Sequence, residues 1–473
     1  MDLPNPDAYA AFIAGKAAIA PSFGISDQID LPPAIKPFQG DIVRWALRRG
    51  RAAIFANAGL GKTVMQLSWA DALAAHSGGR ILILTPLAVA QQTVEEATKF
   101  GIEGVAYARD KGAAKTEIVV TNYDRVEKFD LGSFAGIVLD ESSILKAHDS
   151  KTRAALTDAC QIIPYRLACT ATPAPNDWVE LGNHAEFLGV TTQKEMLATY
   201  FVHDGSIRAG GADGAEGGWR LKRHAQTDFW QWVASWAAMA RHPRDLGYED
   251  AGYDLPPLVY HQVTVPVEYA PTNGALFPME ARTLSERLGA RRDSIESRAA
   301  KAAEIIAADP DKPWLIWCNL NAEADAMKAA VPRAVEVRGS DDPETKAERL
   351  LGFAHGKVDI LLSKPSLAGF GMNFQRCSDM IFLGLSDSFE QIFQAVRRCW
   401  RFGQSRPVNV YMVASELEGA VVANLQRKER QHEEMGAAMA AFMKDFTRAN
   451  LRGIRVPAAK HTIKMEIPAW LGR

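Results

Sequence analysis

The stretch Ala52–Thr63, AAIFANAGLGKT, carries the residue types needed to hold a nucleotide's phosphates. A short apolar run, Ala52 to Phe55, reads as a buried strand. The chain then turns small and flexible through Asn57, Ala58, Gly59 and Leu60. Gly61-Lys62-Thr63 opens the helical pattern TVMQLSWADALA. Ala stands where such a loop usually has its first Gly. The two glycines let the backbone approach a ligand closely, and exposed helix-start amides favour an anion. In that geometry Lys62 reaches the outer phosphates and the Thr63 hydroxyl holds Mg²⁺. The chemistry implied is ATP binding.

Two further clusters fit that chemistry. Asp140 and Glu141 end the apolar run GIVLDES. A carboxylate there can bind Mg²⁺ opposite Thr63, while its neighbour polarises an attacking water. The second cluster is FEQIFQAVRRCWRFGQ, where Gln391, Gln394 and Arg398 recur at helical spacing with Arg401 one turn on. Arginines at 397, 398 and 401 need anions or solvent to face them. A γ-phosphate presented by another domain would serve. Upstream, Gln39 follows Phe38, and its amide can both donate to and accept from adenine.

These residues need a scaffold, and the hydrophobic pattern supplies one. Apolar runs at Ala52–Phe55, Arg80–Leu84, Glu117–Val120, Gly136–Leu139 and Tyr165–Ala168 alternate with helical stretches, including 63–76 and 88–99. This predicts a parallel α/β sheet whose ligands lie beyond the C-terminal strand ends. Lys62, Thr85-Pro86, Thr121-Asn122-Tyr123, Asp140-Glu141 and Thr170-Ala171-Thr172 each follow one of those strands. From about 294 to 430 the alternation returns without a second phosphate loop, which predicts a second lobe closing over nucleotide held by the first. Between them the pattern breaks. Gly205–Gly218 reads as a mobile loop or a turn between polar strands. Trp230, Trp232 and Trp236 read as a short helix docking its indoles on a neighbouring domain, or as a surface for stacking on bases. The segment 415–449 reads as a supporting helix with a solvated face.

The bulk properties agree. A chain of 473 residues requires two or three domains, and a hydrophobic fraction of 47% is ordinary for a soluble protein. A formal net charge of -2 does not by itself point to nucleic acid. No run approaches the length of a membrane span, and MDLPNPDAYA lacks the order of a secretory signal. Five cysteines without paired C-x-x-C spacing read as reduced interior residues in a cytosolic protein.

Taken together, the motifs resemble the superfamily-two helicases, and within them the Swi/Snf-type DNA translocases, especially compact phage and prophage versions. The resemblance covers about residues 35–188 and 295–414. It implies two tandem RecA-like parallel-sheet domains with ATP bound between them, an inter-domain insertion and a C-terminal helical extension. The expected limits are a lead-in at 1–34, domains at 35–190 and 294–414, an inter-domain segment at 191–293 and a tail at 415–473. It implies that Gln39 reads adenine and that Asn57 to Thr63 form the phosphate loop. Thr85, Pro86, Thr121, Asn122, Tyr123 and Ser363 would grip the nucleic-acid backbone. Gly369, Gly371 and Asn373 match a segment contacting backbone and nucleotide. Thr170, Ala171, Thr172 and Gln394 would couple the sites, with Arg398 and Arg401 on the γ-phosphate. Ser143 replaces the family's usual His. The implied activity is a DNA helicase or duplex translocase using ATP and Mg²⁺, monomeric, in the cytoplasm of a bacterial host cell. The implied partners are duplex, single-stranded or forked DNA and phage replication or recombination proteins. An RNA helicase and a non-motor ATP switch stay open as alternatives.

Overall fold

The computed structural model describes residues 20, 22–26, 29–113, 115–147, 150–174, 177–203, 218–250, 252–266, 292–368, 372–385, 389–416 and 419–453. Two parallel sheets organise them. The first comprises β1 (Arg51–Ala56), β2 (Arg80–Thr85), β3 (Val105–Tyr107), β4 (Ile118–Asn122), β5 (Phe134–Asp140), β6 (Tyr165–Thr170) and β9 (Ala237–Ala240), in the order β3-β4-β2-β5-β6-β1-β9. A short antiparallel pair, β7 (Phe201–His203) and β8 (Trp219–Leu221), stands apart from it. The second sheet comprises β10 (Leu258–Val265), β11 (Trp314–Trp317), β12 (Val335–Val337), β13 (Ile360–Ser363), β14 (Asp379–Phe382) and β15 (Val408–Ser415), in the order β10-β15-β14-β11-β13-β12. These are two tandem RecA-like lobes.

The central strands are continuous apolar runs because helices cover both faces of each sheet. Alternation sorts their side chains between two cores. Ala53 and Phe55 of β1 join one core, and Ala52, Ile54 and Ala56 join the other. In the second lobe Leu315 and Trp317 of β11 face one way, and Trp314 and Ile316 the other. The period of two leaves the strand ends as the place where polar side chains can converge.

The segment that breaks the sequence pattern contributes to both sheets. β9 pairs parallel with β1, and β10 pairs parallel with β15 along eight residues. The helix Gln226–Trp236 leads into β9 and buries Trp230, Trp232 and Trp236 in the first lobe's own core. The indoles are therefore packing residues and offer no surface to bases. Indole-rich helix turning into an AAMA strand gives no β-branched signal, which is why this strand is not evident from the sequence. Of the Gly-rich stretch, residues 204–217 lie outside the described residues, and β7 and β8 flank them.

The C-terminal helix Gly419–Leu451, 33 residues and about 50 Å long at 1.5 Å per residue, crosses from one lobe to the other. Leu425 packs in the second lobe, whereas Met439, Ala440 and Met443 enter the core of the first. The Phe442 ring stacks on Trp230 at 5.7 Å, and Asn450 Nδ2 donates to Ala234 O at 2.7 Å. All five cysteines are buried with free thiols. Among the described residues no helix is long and apolar enough to cross a membrane.

Candidate nucleotide site between the lobes

The phosphate loop is shaped by its glycines. Gly59 and Gly61 adopt φ of +89° and +80°, where a Cβ is strained. Space forbids a side chain as well: a Cβ on Gly61 would meet Gln39 Nε2 at 2.3 Å, and one on Gly59 would meet Phe402 N at 2.6 Å. The loop is thus held between its own lobe and the other. Gln39 Nε2 donates to Leu60 O at 2.9 Å, and its Oε1 accepts from Lys36 N. Asn57 N donates to Ala240 O at 3.0 Å, so β9 anchors the loop's start. Helix Lys62–Ser77 begins at Gly61 with no side chain capping it, which leaves its first amides for an anion. Lys62 Nζ donates to Ala56 O at 2.9 Å. Burial lowers its pKa, against the pull of Glu141 and Asp140.

The acidic pair lies opposite. Asp140 Oδ1 accepts from Gln66 Nε2 at 2.8 Å, and its carbonyl accepts from Tyr123 OH at 2.7 Å. Burial pushes the Asp140 carboxyl up to about 6, Gln66 opposing and Glu141 adding to the shift. Glu141 sits at φ +57°, rare for a residue with a side chain. Its Oε1 accepts from Thr170 Oγ1 at 2.8 Å and from Ser143 Oγ at 3.2 Å. Ser143 therefore touches the acid from the position where the resembled family has His. Beneath it, Ser142 Oγ lies 3.1 Å from Nε2 of His184, a buried imidazole that no sequence pattern singles out.

The second lobe supplies the cations. The helix Phe389–Val396 ends earlier than its spacing suggests, because Phe374 N takes the Arg398 carbonyl and residues 397–401 form turns. The three arginines take different partners as a result, although all three line the cavity between the lobes. Arg397 lies over the rings of Phe393 and Trp400, at 4.8 and 4.4 Å. Arg398 donates from Nε to Gln394 O at 2.9 Å and from an amino group to Gln394 Oε1 at 2.8 Å. Burial lowers it to about 10, with Arg401 adding and Glu141 and Asp140 opposing. Arg401 donates to Met372 O at 3.5 Å, and burial lowers it against the pull of Glu96. Gln394 Nε2 reaches back to Glu141 Oε1 and Thr172 Oγ1, both at 3.4 Å.

One cavity of about 350 Å³ collects Gln39, Ala58, Gly59, Gly61, Lys62, Thr63, Asp140, Glu141, Ala171, Gln394, Arg398 and Arg401. Thr170 and Thr172 support it from behind. Leu60 is buried in the first lobe's core, and Asn57 lines a neighbouring cleft beside Arg397. Gly369 and Gly371 lie outside the described residues. The donor set fits Mg²⁺ and a triphosphate: burial shifts Lys62 and Asp140 in the directions that a phosphate and a divalent cation would reverse.

The expected nucleic-acid side chains are arranged differently. Thr85 Oγ1 donates to Pro86 O, Thr121 Oγ1 to Ala108 O, and Ser363 Oγ to Val337 O. Tyr123 is buried under Asp140, and Asn122 Nδ2 donates to Asp124 at 3.4 Å. Strand-end alternation turns the Thr85, Thr121, Tyr123 and Ser363 side chains inward, whereas Pro86, also among the expected contacts, is half-buried and its neighbour Leu87 is exposed. The sequence reading also missed Glu96, Gln66, Tyr253 and Phe402, which line or support the cavity. Helical spacing of Gln92 and Glu96 after Thr85-Pro86-Leu87 could have drawn attention to Glu96.

Comparison with known proteins agrees with this geometry. Residues 38–203 match the SNF2-related domain, and residues 297–403 match the helicase conserved C-terminal domain. The TATA-binding protein-associated factor mot1 of Schizosaccharomyces pombe is similar over 105 residues at 30% identity, which is 20% of this chain and 5% of that protein. The matched part is thus a small fraction of that relative's length. The chain thus carries the paired SNF2-related and helicase C-terminal domains of a superfamily-two helicase of the Swi/Snf type.

Proposed function

We propose that this Swi/Snf-type ATPase hydrolyses ATP to drive movement along DNA, as a helicase or a duplex translocase. The observation that carries this reading is the cavity closed by both lobes, with Lys62 and Asp140-Glu141 on one side and Gln394, Arg398 and Arg401 on the other. Lys62 and the amides of Gly59 to Thr63 would bind the outer phosphates. Thr63 and Asp140 would hold Mg²⁺, which screens phosphate charge when bound. Glu141 orients the attacking water and draws its proton, while Arg398 and Arg401 meet charge developing at the γ-phosphate.

Hydrolysis removes the group that both lobes contact, so their preferred separation changes with nucleotide state. Movement follows from alternating grip, a population shift set by differential nucleotide contacts. Gln394 links that change to Thr172 in the segment after β6. DNA is proposed over RNA because the motifs resemble those of the Swi/Snf-type DNA translocases. Backbone binding of this kind weakens steeply with salt.

The test is the ATPase rate measured alone and with duplex, single-stranded and forked DNA, and with RNA. Stimulation by DNA is expected, strongest on one of its forms. A rate indifferent to every nucleic acid would reject the motor, and stimulation by RNA only would replace DNA as substrate. Strand displacement beside triplex displacement then separates unwinding from walking on duplex.

A further inference from the structure

Helix Ala90–Lys99 runs beside the cleft, and positions 92, 96 and 99 share one face of it. All three line the space between the lobes. Gln92 and Lys99 bring an amide and a cation. Glu96 brings a negative charge to a cavity whose lining includes Lys36, Lys62, Lys99, Arg398 and Arg401. Among the described residues that line it, the carboxylates are Asp140, Glu141 and Glu96, and the reaction proposed above uses only the first two.

The surroundings of Glu96 suggest its part. Thr63 of the phosphate loop and Arg401 of the other lobe line the same cavity as Glu96, and Gln92 Nε2 donates to its Oε1 at 3.4 Å. Arg401, from the opposite lobe, is its strongest cationic neighbour, with Lys99 next. Burial raises the Glu96 carboxyl, and these four groups work against that shift. Thr63 and Arg401 are the groups assigned to Mg²⁺ and to the γ-phosphate. A carboxylate and a terminal phosphate cannot both keep them, since like charges in a partly desolvated cleft repel.

We infer that Glu96 is a positioning residue whose carboxylate shares the cavity with Thr63 and Arg401 as an internal stand-in for the terminal phosphate, so that ATP must displace it. The inference rests on the ATP reading of the site. Glu96 keeps Arg401 directed into the cleft before nucleotide arrives, and sets an affinity below what the cations alone would give.

The experiment compares the full-length protein with Glu96→Gln, which keeps the side chain's size and removes its charge. Equilibrium binding of fluorescent ADP and of a non-hydrolysable ATP analogue is measured with Mg²⁺, alongside kcat and KM on DNA. The analogue is expected to bind roughly tenfold tighter in Glu96→Gln, with a smaller gain for ADP, and KM to fall without a rise in kcat. In an Arg401→Ala background that gain shrinks, because the pair no longer competes. Glu103→Gln, exposed and outside the cleft, should change nothing. Thermal melting checks folding, and Glu96→Ala carries the same affinity test if the glutamine variant is unfolded. Unchanged or weaker binding of the analogue overturns the inference. A wild-type protein that binds no adenine nucleotide would instead fail the ATP reading, and the role of Glu96 with it.

Discussion

The side-chain amide of Gln394 in the second lobe donates to Glu141 Oε1 and Thr172 Oγ1 in the first, each at 3.4 Å, while its Oε1 accepts from Arg398. One side chain therefore touches the candidate base, the segment after β6 and the Arg398 guanidinium. Truncating it should break communication more than binding. Gln394→Ala is expected to keep nucleotide affinity within about threefold while lowering the nucleic-acid-stimulated kcat by on the order of tenfold or more. Steady-state rates and nucleotide titrations check this. An affinity loss as large as the rate loss would make Gln394 a binding residue.

Glu141 combines its proposed chemical role with a strained backbone. Glu141→Gln should abolish turnover and retain ATP affinity, whereas Lys62→Ala should lose both. Glu141→Gly, equally inactive, should be more stable than Glu141→Ala by about 1 kcal/mol, because glycine adopts φ of +57° freely. Chemical denaturation of the two variants decides it, and equal stabilities would place the strain elsewhere.

The arginines should separate by function. Arg398→Ala and Arg401→Ala are expected to lower kcat by on the order of 10²–10³ with nucleotide binding largely kept. Arg397, stacked on Phe393 and Trp400, should instead cost about 1–3 kcal/mol of stability on truncation. Wild-type turnover in Arg401→Ala would move that residue out of the site.

Below the second sheet's strand ends, Arg298 and Glu323 form a fully buried ion pair at 3.0 Å. Glu323 Oε2 also accepts from Asn319 N and Leu320 N. Glu323→Gln leaves a buried guanidinium facing a neutral amide, with an expected loss of about 3–5 kcal/mol. A shift in urea midpoint at constant slope would show it. A loss under 1 kcal/mol would mean that water reaches Arg298.

His184 gives a pH signature. Burial lowers its pKa from 6.5 to about 4. Between those values the unfolded chain binds more protons than the folded one. Stability from this group is therefore complete above about pH 6.5 and falls as pH drops toward 4, by on the order of 3 kcal/mol in all. Urea unfolding of wild type and His184→Gln at pH 7.5 and 5 measures the difference. Parallel pH slopes in the two proteins would assign the acid sensitivity to other groups.

The sequence by itself determined the lobes and the polar strand ends. An apolar run buried on both faces can only be an interior strand, and its C-terminal end is where a parallel sheet exposes amides and short polar side chains. Lys62, Asp140 and Glu141 stood out because each follows such a run, and Arg398 and Arg401 because they recur at helical spacing. Tertiary structure decided what spacing cannot encode. It added β9 and β10 to the two sheets from the segment between them, since strand partners are chosen by space and not by order along the chain. It also turned Thr121, Tyr123 and Ser363 inward and gave Arg397 the aromatic partners Phe393 and Trp400, because a helix ends where a distant backbone group takes its carbonyl. And it brought Glu96 of one lobe to Arg401 of the other, a meeting of charges that only the packing of the lobes creates.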